Sequence, residues 1–524
     1  MGGGGEGASY TVDDALTKMG FGTFQALVLA YAGMGQAAEA MEMMLLSFVG
    51  PAVQAEWGLS SRQESMITSV VFAGMLVGAY TWGIVSDNHG RRQVYPVRQE
   101  SESLKGFLIT AICTFSAGFL SALAPNYISL IFLRCLVGVG LGGGPVLSSW
   151  FLEFIPAANR GTWMVIFSTF WTLGTVLEAS LAWLVMPTLG WRWLLGMSSF
   201  PTLFLLIFYK FTPESPRYFC TKGRIDEALS ILEKISRLNG AELPSGKLVS
   251  DHMYELELDE KSNPSEDTLL LSPTKRNDSP IASPKNKVSS ETQGGLSSLL
   301  LLLSPELVRS TLLLWIVFFG NAFSYYGLVL LTSELSTQNS QCDPTSLHSG
   351  NSPTTNNNLY LDVLITSFAE FPGLLLAAAI VDRIGRKLSM STMFFICCIF
   401  LFPLMFHQPE NLTTALLFGA RICITGTFTV VYIYAPEIYP TSIRTTGVGV
   451  ASSVGRIGGI ICPMVAVGLI HGCHQTLAIF LFEVVVFLAG TAVVFFPFET
   501  KGRELTNNSV ISPSSSSSKS NISL

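Results

Sequence analysis

Three observations predict an all-α integral membrane protein, with twelve transmembrane helices in two six-helix bundles. Of the 524 residues, 49% are hydrophobic and only 13% charged, against about 25% charged in soluble domains. Mean hydropathy is +0.45. Segments long enough to approach the roughly 20 apolar residues of a bilayer span recur along the whole chain. The polar motifs between them occur twice, once in each half. So little polar residue cannot coat a water-facing surface.

The spans fall near 24–51, 66–86, 106–123, 127–149, 162–186, 190–209, 308–333, 361–381, 388–407, 412–435, 446–470 and 475–497. Residues 1–23 read as a cytoplasmic N-terminus and 24–209 as the N-terminal bundle. Residues 210–307 form a cytoplasmic central loop. Its stretch GRIDEALSILEKISRLNG has helical periodicity and predicts a short surface helix. From Glu242 to Gly295 the loop is rich in Ser, Pro, Asn, Lys and Asp, which predicts disorder. Residues 308–497 form the C-terminal bundle, and 498–524 a disordered cytoplasmic tail.

The first apolar segment contains acids and lacks a small-residue cleavage site, so it is not read as a signal peptide. MGGGGE lacks the Ser or Thr of a myristoylation signal. With both termini cytoplasmic, only Arg62 and Arg192 fall in the opposite loops, and Arg134, Arg421 and Arg456 fall within spans. Every other of the 31 Lys and Arg is cytoplasmic. That asymmetry follows the positive-inside rule and supports an even number of spans. Nine scattered cysteines do not make a disulfide framework. Cys397-Cys398 reads as apolar packing and His471-Gly-Cys-His474 as a short polar loop, so no metal is expected. There is no nucleotide loop and no nucleophile–base pairing. The expectation is a protein that is not an enzyme, has no cofactor, binds no nucleic acid and draws its energy from gradients.

The halves repeat. Asp87-Asn-His-Gly90-Arg91-Arg92 follows the second span, and Asp382-Arg-Ile-Gly385-Arg386-Lys387 follows the eighth. Glu153-Phe-Ile-Pro156 with Arg160 closes the fourth span, and Glu437-Ile-Tyr-Pro440 with Arg444 closes the tenth. Arg134 enters the fourth span as Arg421 enters the tenth. Matched six-span halves are the mark of a parallel repeat, as in rocking transporters. Glu153 to Glu437 and Arg160 to Arg444 share one offset, whereas Asp87 to Asp382 has a longer one. The polar run Gln93–Leu104 (93–104) is the candidate insert: a real loop or a gene-model artefact.

These residues carry a family resemblance. Gly83-Ile-Val-Ser-Asp87-Asn-His-Gly90-Arg91-Arg92, Pro213-Glu-Ser-Pro-Arg217 and Glu499-Thr-Lys-Gly-Arg503 resemble the G-x3-D-x2-G-R-R/K, PESPR and ETKGR motifs of the major facilitator superfamily. The seventh span lacks the Gln-Gln pair typical of sugar porters. Instead, Asn321-Ala-Phe-Ser-Tyr325-Tyr326-Gly327-Leu328 and Ser453-Val-Gly-Arg456-Ile-Gly-Gly-Ile-Ile-Cys-Pro463 look like the organic ion branch. The chain is most similar to plant organic cation/carnitine transporters related to bacterial niacin (nicotinate) transporters. It departs from the pattern at the insert after Arg92 and at Ala378, where the second loop motif lacks its leading Gly. The resemblance implies gating by charge pairs at the cytoplasmic turns: Asp87, Arg91 and Arg92; Asp382, Arg386 and Lys387; Glu153 with Arg160; Glu437 with Arg444.

Charges within a span cost roughly 2.5–3.5 kcal/mol for Asp, Lys or Arg at a helix centre unless they face a cavity or a partner. Arg456 lies near mid-membrane, where a guanidinium can grip a carboxylate through two parallel hydrogen bonds. It is the candidate substrate anchor; the alternative is a structural pair with a membrane glutamate. Glu39 and Glu42, three apart on one helical face, are candidate proton-coupling groups; cation contact or a structural bond are the alternatives. Arg134 and Arg421, being duplicated, read as structural or gating. Glu178, Glu370 and Glu483 read as packing carboxylates. Asn321, Tyr325 and Tyr326 are candidate substrate contacts, the tyrosines through their ring faces. The run Gly138 to Gly144 follows no strand, so it reads as close helix packing rather than a phosphate loop.

The function expected is proton-coupled secondary transport of a small organic ion. The substrate is either carboxylate-bearing (nicotinate-like or carnitine-like) or an organic cation. The alternatives are a proton-coupled sugar or polyol carrier and a non-transporting sensor or scaffold. The expected partners are the substrate, protons and the lipid bilayer, with the chain acting as a monomer in the plasma or vacuolar membrane.

Overall fold

The structure is a computed structural model that describes residues 9–90, 102–156, 160–209, 212–221, 223–249, 301–305, 307–338, 353–406, 408–439, 444–472 and 474–501. In the first half these form α1 (Val12–Met19), α2 (Thr23–Trp57), α3 (Ser61–Gly90), α4 (Glu102–Ala122), α5 (Tyr127–Leu141), α6 (Gly144–Leu152), α7 (Arg160–Val185), α8 (Trp191–Ser198) and α9 (Phe200–Phe208). The central segment carries α10 (Pro216–Thr221) and α11 (Ile225–Asn239). The second half follows as α12 (Val308–Gln338), α13 (Pro353–Phe368), α14 (Glu370–Ile384), α15 (Arg386–Leu401), α16 (Glu410–Ile438), α17 (Arg444–Ile470) and α18 (Gln475–Val494).

The twelve expected spans map onto these helices in order, with the fourth, sixth and eighth each built from two helices. Breaks coincide with residues that interrupt the backbone ladder. Gly142 and Gly143 separate α5 from α6. Pro201, one residue into α9, suits a helix start and so separates it from α8. Eight helical segments among the described residues are long and apolar enough to cross a membrane. Leu123, Ile128, Phe132, Leu375, Ile399 and Phe480 are exposed, as a lipid-facing surface requires.

Close packing explains the small residues. A Cβ on Gly74, Gly78 or Gly138 would strike the backbone of the facing helix: Cys135, Val139 and Val71 respectively. Spans two and four therefore meet backbone to backbone, a contact only small residues permit.

Part of the N-terminal segment is structured. Thr11 caps α1 by accepting from the Asp14 amide at 3.2 Å, and Asp14 returns the bond to the Thr11 amide at 2.9 Å. Ser9–Tyr10 pairs in parallel with Lys247–Leu248. Val12, Leu16 and Met19 bury their side chains in the same core as Leu232 and Ile235 of α11. The N-terminus and the central helix thus pack as one cap on the bundle. The candidate insert falls on 93–101, outside the described residues, except for 102–104, which open α4.

Candidate functional site

Most membrane carboxylates already have partners. In the first half, Arg134 Nη1 donates to Glu42 Oε2 at 3.1 Å, and its Nε donates to Ser121 Oγ at 3.1 Å. Both charged side chains are 1% exposed. In the second half, Arg421 Nη2 donates to Glu370 Oε1 at 2.8 Å. The same oxygen accepts the Tyr325 hydroxyl at 2.6 Å, and Oε2 accepts Thr175 Oγ1 at 3.2 Å. Trp171 Nε1 in turn donates to the Tyr325 oxygen at 2.7 Å. Thr175 and Trp171 belong to α7, so this second network ties the halves together. Glu178 accepts from Ser198 Oγ at 2.8 and 2.9 Å. Glu483 is hydrogen-bonded with Cys398.

The two candidate proton-coupling groups, Glu39 and Glu42, have different surroundings. They are neighbours on α2, but Glu42 belongs to Arg134. Glu39 points elsewhere, lining a cavity of about 50 Å³ with Thr110, Thr114, Thr202 and Gly144. That is room for water beside a carboxylate. A Cβ on Gly144 would collide with the Glu39 carboxylate, so glycine there makes its seat.

Arg456 sits midway along α17, half-buried. Its charge acts on Glu39 of the opposite half and on the hydroxyls of Tyr326 and Tyr432. Tyr432 is also hydrogen-bonded with Ser452. Tyr326 meets Phe72 edge-on, with ring centroids 4.6 Å apart. One carboxylate of the first half thus lies within electrostatic reach of a guanidinium of the second, which also acts on two tyrosines.

Two expected cavity residues are packed away in this conformation. Asn321 is fully buried and accepts the Thr427 hydroxyl at 2.6 Å. Tyr325 is spent on Glu370. Tyr326 alone of the three remains beside Arg456. Sequence reasoning missed Tyr432, Trp171 and the threonines around Glu39. Tyr432 lies 24 residues before Arg456, and no spacing rule links the two.

At the turns that carry the repeated motifs, the second-half motifs close on themselves. Arg386 Nη1 donates to Asp382 Oδ1 at 3.1 Å, and its Nη2 to Glu437 Oε1 at 3.3 Å. Glu499 of the ETKGR stretch accepts the amides of Arg386 and Lys387 at 2.8 and 3.0 Å, capping α15. Lys387 Nζ donates to the Phe496 carbonyl at 2.8 Å. Gly385 takes φ +93°, and a Cβ there would meet the Glu499 carboxylate, so both backbone and space demand glycine. In the first half, Arg217 of the PESPR stretch pairs with Asp13. Burial pushes the Glu153 carboxyl above its usual range, countered by a hydrogen bond with Ser215 and by the charge of Arg217. The backbones of Asp87 and Arg160 lie within α3 and α7, and that of Arg444 opens α17. Arg91 and Arg92 lie outside the described residues.

The family profile described as "Sugar (and other) transporter" matches residues 28–278, and that of the Major Facilitator Superfamily matches 354–519. The chain is 64% identical over 500 residues to organic cation/carnitine transporter 7 of Arabidopsis thaliana, covering 95% of this chain and 96% of the relative. The chain belongs to the major facilitator superfamily. A synaptic vesicle 2-related protein of Xenopus laevis is 37% identical over 508 residues, covering 96% of this chain and 83% of that one. Among solved structures, a partially occluded inward open xylose transporter from E. coli superposes with a TM-score of 0.66 at 15% identity, over 92% of this chain and 100% of that one. This major facilitator protein is a multi-pass membrane transporter, and the likeness to the xylose transporter shows its fold.

Proposed function

We propose that this transporter moves a small carboxylate-bearing organic ion, nicotinate-like or carnitine-like, together with a proton. One observation carries the reading: Arg456 and Glu39, from opposite halves, act on one another electrostatically, and Arg456 acts also on Tyr326 and Tyr432, while the buried Arg134 and Arg421 are held by their own glutamates. A guanidinium is a permanent cation that can grip a carboxylate with paired hydrogen bonds. With no substrate bound, Arg456 and Glu39 balance each other. A substrate carboxylate that takes Arg456 leaves Glu39 as an uncompensated buried charge, which is costly. Protonating Glu39 removes that cost, so substrate and proton load together. Tyr326 and Tyr432 offer ring faces to a cationic or aromatic portion of the substrate. The name of the Arabidopsis relative, organic cation/carnitine transporter 7, agrees with a solute of this class. In this account the turn motifs around Arg386 and Glu437 act as latches that re-form as the halves rock.

Proteoliposome uptake with labelled carnitine, competed by nicotinate, by an organic cation lacking a carboxylate and by hexose, tests the assignment. Carboxylate-bearing competitors are expected to block uptake. Block by hexose alone would replace this reading with a sugar carrier.

A further inference from the structure

At the end of the bundle opposite the central segment, three side chains from three helices converge. Glu64 comes from the first turn of α3 in the N-terminal half. Glu334 near the end of α12 and His471 just past α17 come from the C-terminal half. Their ligating atoms all lie within 4.8 Å of one another. His471 Nε2 stands 2.8 Å from Glu334 Oε2 and 3.6 Å from Glu64 Oε2.

Glu64 and Glu334 are 2% and 1% exposed. Neither carboxylate oxygen of Glu64, nor Oε1 of Glu334, has a hydrogen-bond partner. Two buried carboxylates with idle oxygens, aimed at one imidazole, need positive charge in their midst. A divalent cation supplies that charge and occupies the idle oxygens. Two carboxylates and an imidazole suit a borderline ion such as Zn²⁺. His471, 20% exposed, leaves a way in.

The outer partner is present too. His471 Nδ1 lies 3.3 Å from the Gln54 side-chain amide. With that amide turned over, its oxygen accepts Nδ1–H, the bond that orients a metal-binding imidazole. The His471-Gly-Cys-His474 run carries no metal reading by itself. The fold joins His471 to carboxylates of other helices instead.

We propose that Glu64, Glu334 and His471 form a divalent-cation site of the Zn²⁺ class that clamps the two halves together at the non-cytoplasmic end. Because the ligands come from both halves, the complete site exists only while that end is closed. An ion that binds only the closed state draws the population toward it.

The test uses the purified full-length protein and needs no transport substrate. Zn²⁺ binding is measured by equilibrium dialysis and by the shift in melting temperature. One Zn²⁺ per chain in the micromolar range is expected, with a rise in melting temperature that Mg²⁺ does not reproduce. Glu64→Gln and His471→Asn are expected to weaken binding more than tenfold, and Gln54→Leu by roughly tenfold. Absence of saturable one-to-one binding to the wild type overturns the proposal, whatever the variants do. So does binding unchanged in both Glu64→Gln and His471→Asn, which would put the ion elsewhere.

Discussion

Arg134 and Arg421 hold the same place in the two halves, yet they are wired differently. Arg134 spends its donors on Glu42, Ser121 and the Gly118 carbonyl, all within the first half. Arg421 binds Glu370, which also accepts from Tyr325 and from Thr175 of the other half. The first pair holds one bundle together; the second also fastens that bundle to its neighbour. Even the carboxylates are not repeat partners, since Glu42 lies in the first span and Glu370 in the eighth. The two arginines occupy matching positions, but each takes its counter-charge from a different place. Arg456 stands apart from both, because the carboxylate its charge acts on, Glu39, belongs to the other half.

The contrast can be broken by mutation. Arg134→Ala leaves Glu42 buried without its cation, which costs about 3–5 kcal/mol. The thermal melt of purified protein should fall steeply, and Arg134→Met with Glu42→Met should recover most of the loss. A melt unchanged in Arg134→Ala would deny the pair its structural role. Glu370→Gln removes a charge-assisted bond, worth about 1.5–3 kcal/mol. It should also widen the distance between spin labels placed on the two halves, a change Glu42→Gln should not produce. Gly78→Ala pushes a methyl into the Val139 backbone and should cost about 1–3 kcal/mol. Thr175→Val should have the smallest effect, about 0.5–1.5 kcal/mol, seen as separation of the halves with each bundle intact. Equal widening by Glu42→Gln and Thr175→Val would erase the distinction.

The fold was legible because the membrane imposes length and apolarity, and the repeated turn motifs set the halves. Arg134, Arg421 and Arg456 could be singled out because charge is costly inside a span. Their partners could not, since a glutamate at a given depth can face any of several neighbours. The split between Glu39 and Glu42 is the clearest case: two residues three apart share a helical side in projection, but Gly144 and Arg134 give them different surroundings. Glu64 and Glu334 escaped notice because they sit just beyond the apolar segments, where acids look like loop residues. The cap formed by the N-terminus and α11 was hidden for a similar reason. Short amphipathic pieces such as α1 show their apolar face only when a partner is in view.

The central claim is that Arg456 and Glu39 exchange charge partners as substrate and proton load. Uptake of labelled carnitine and nicotinate into proteoliposomes, at two pH values, tests it most directly in wild type, Glu39→Gln and Arg456→Ala. The account predicts that Arg456→Ala abolishes uptake of both solutes at normal protein levels, and that Glu39→Gln retains exchange but loses its pH dependence. Intact uptake in Arg456→Ala, or an unchanged pH response in Glu39→Gln, would contradict it.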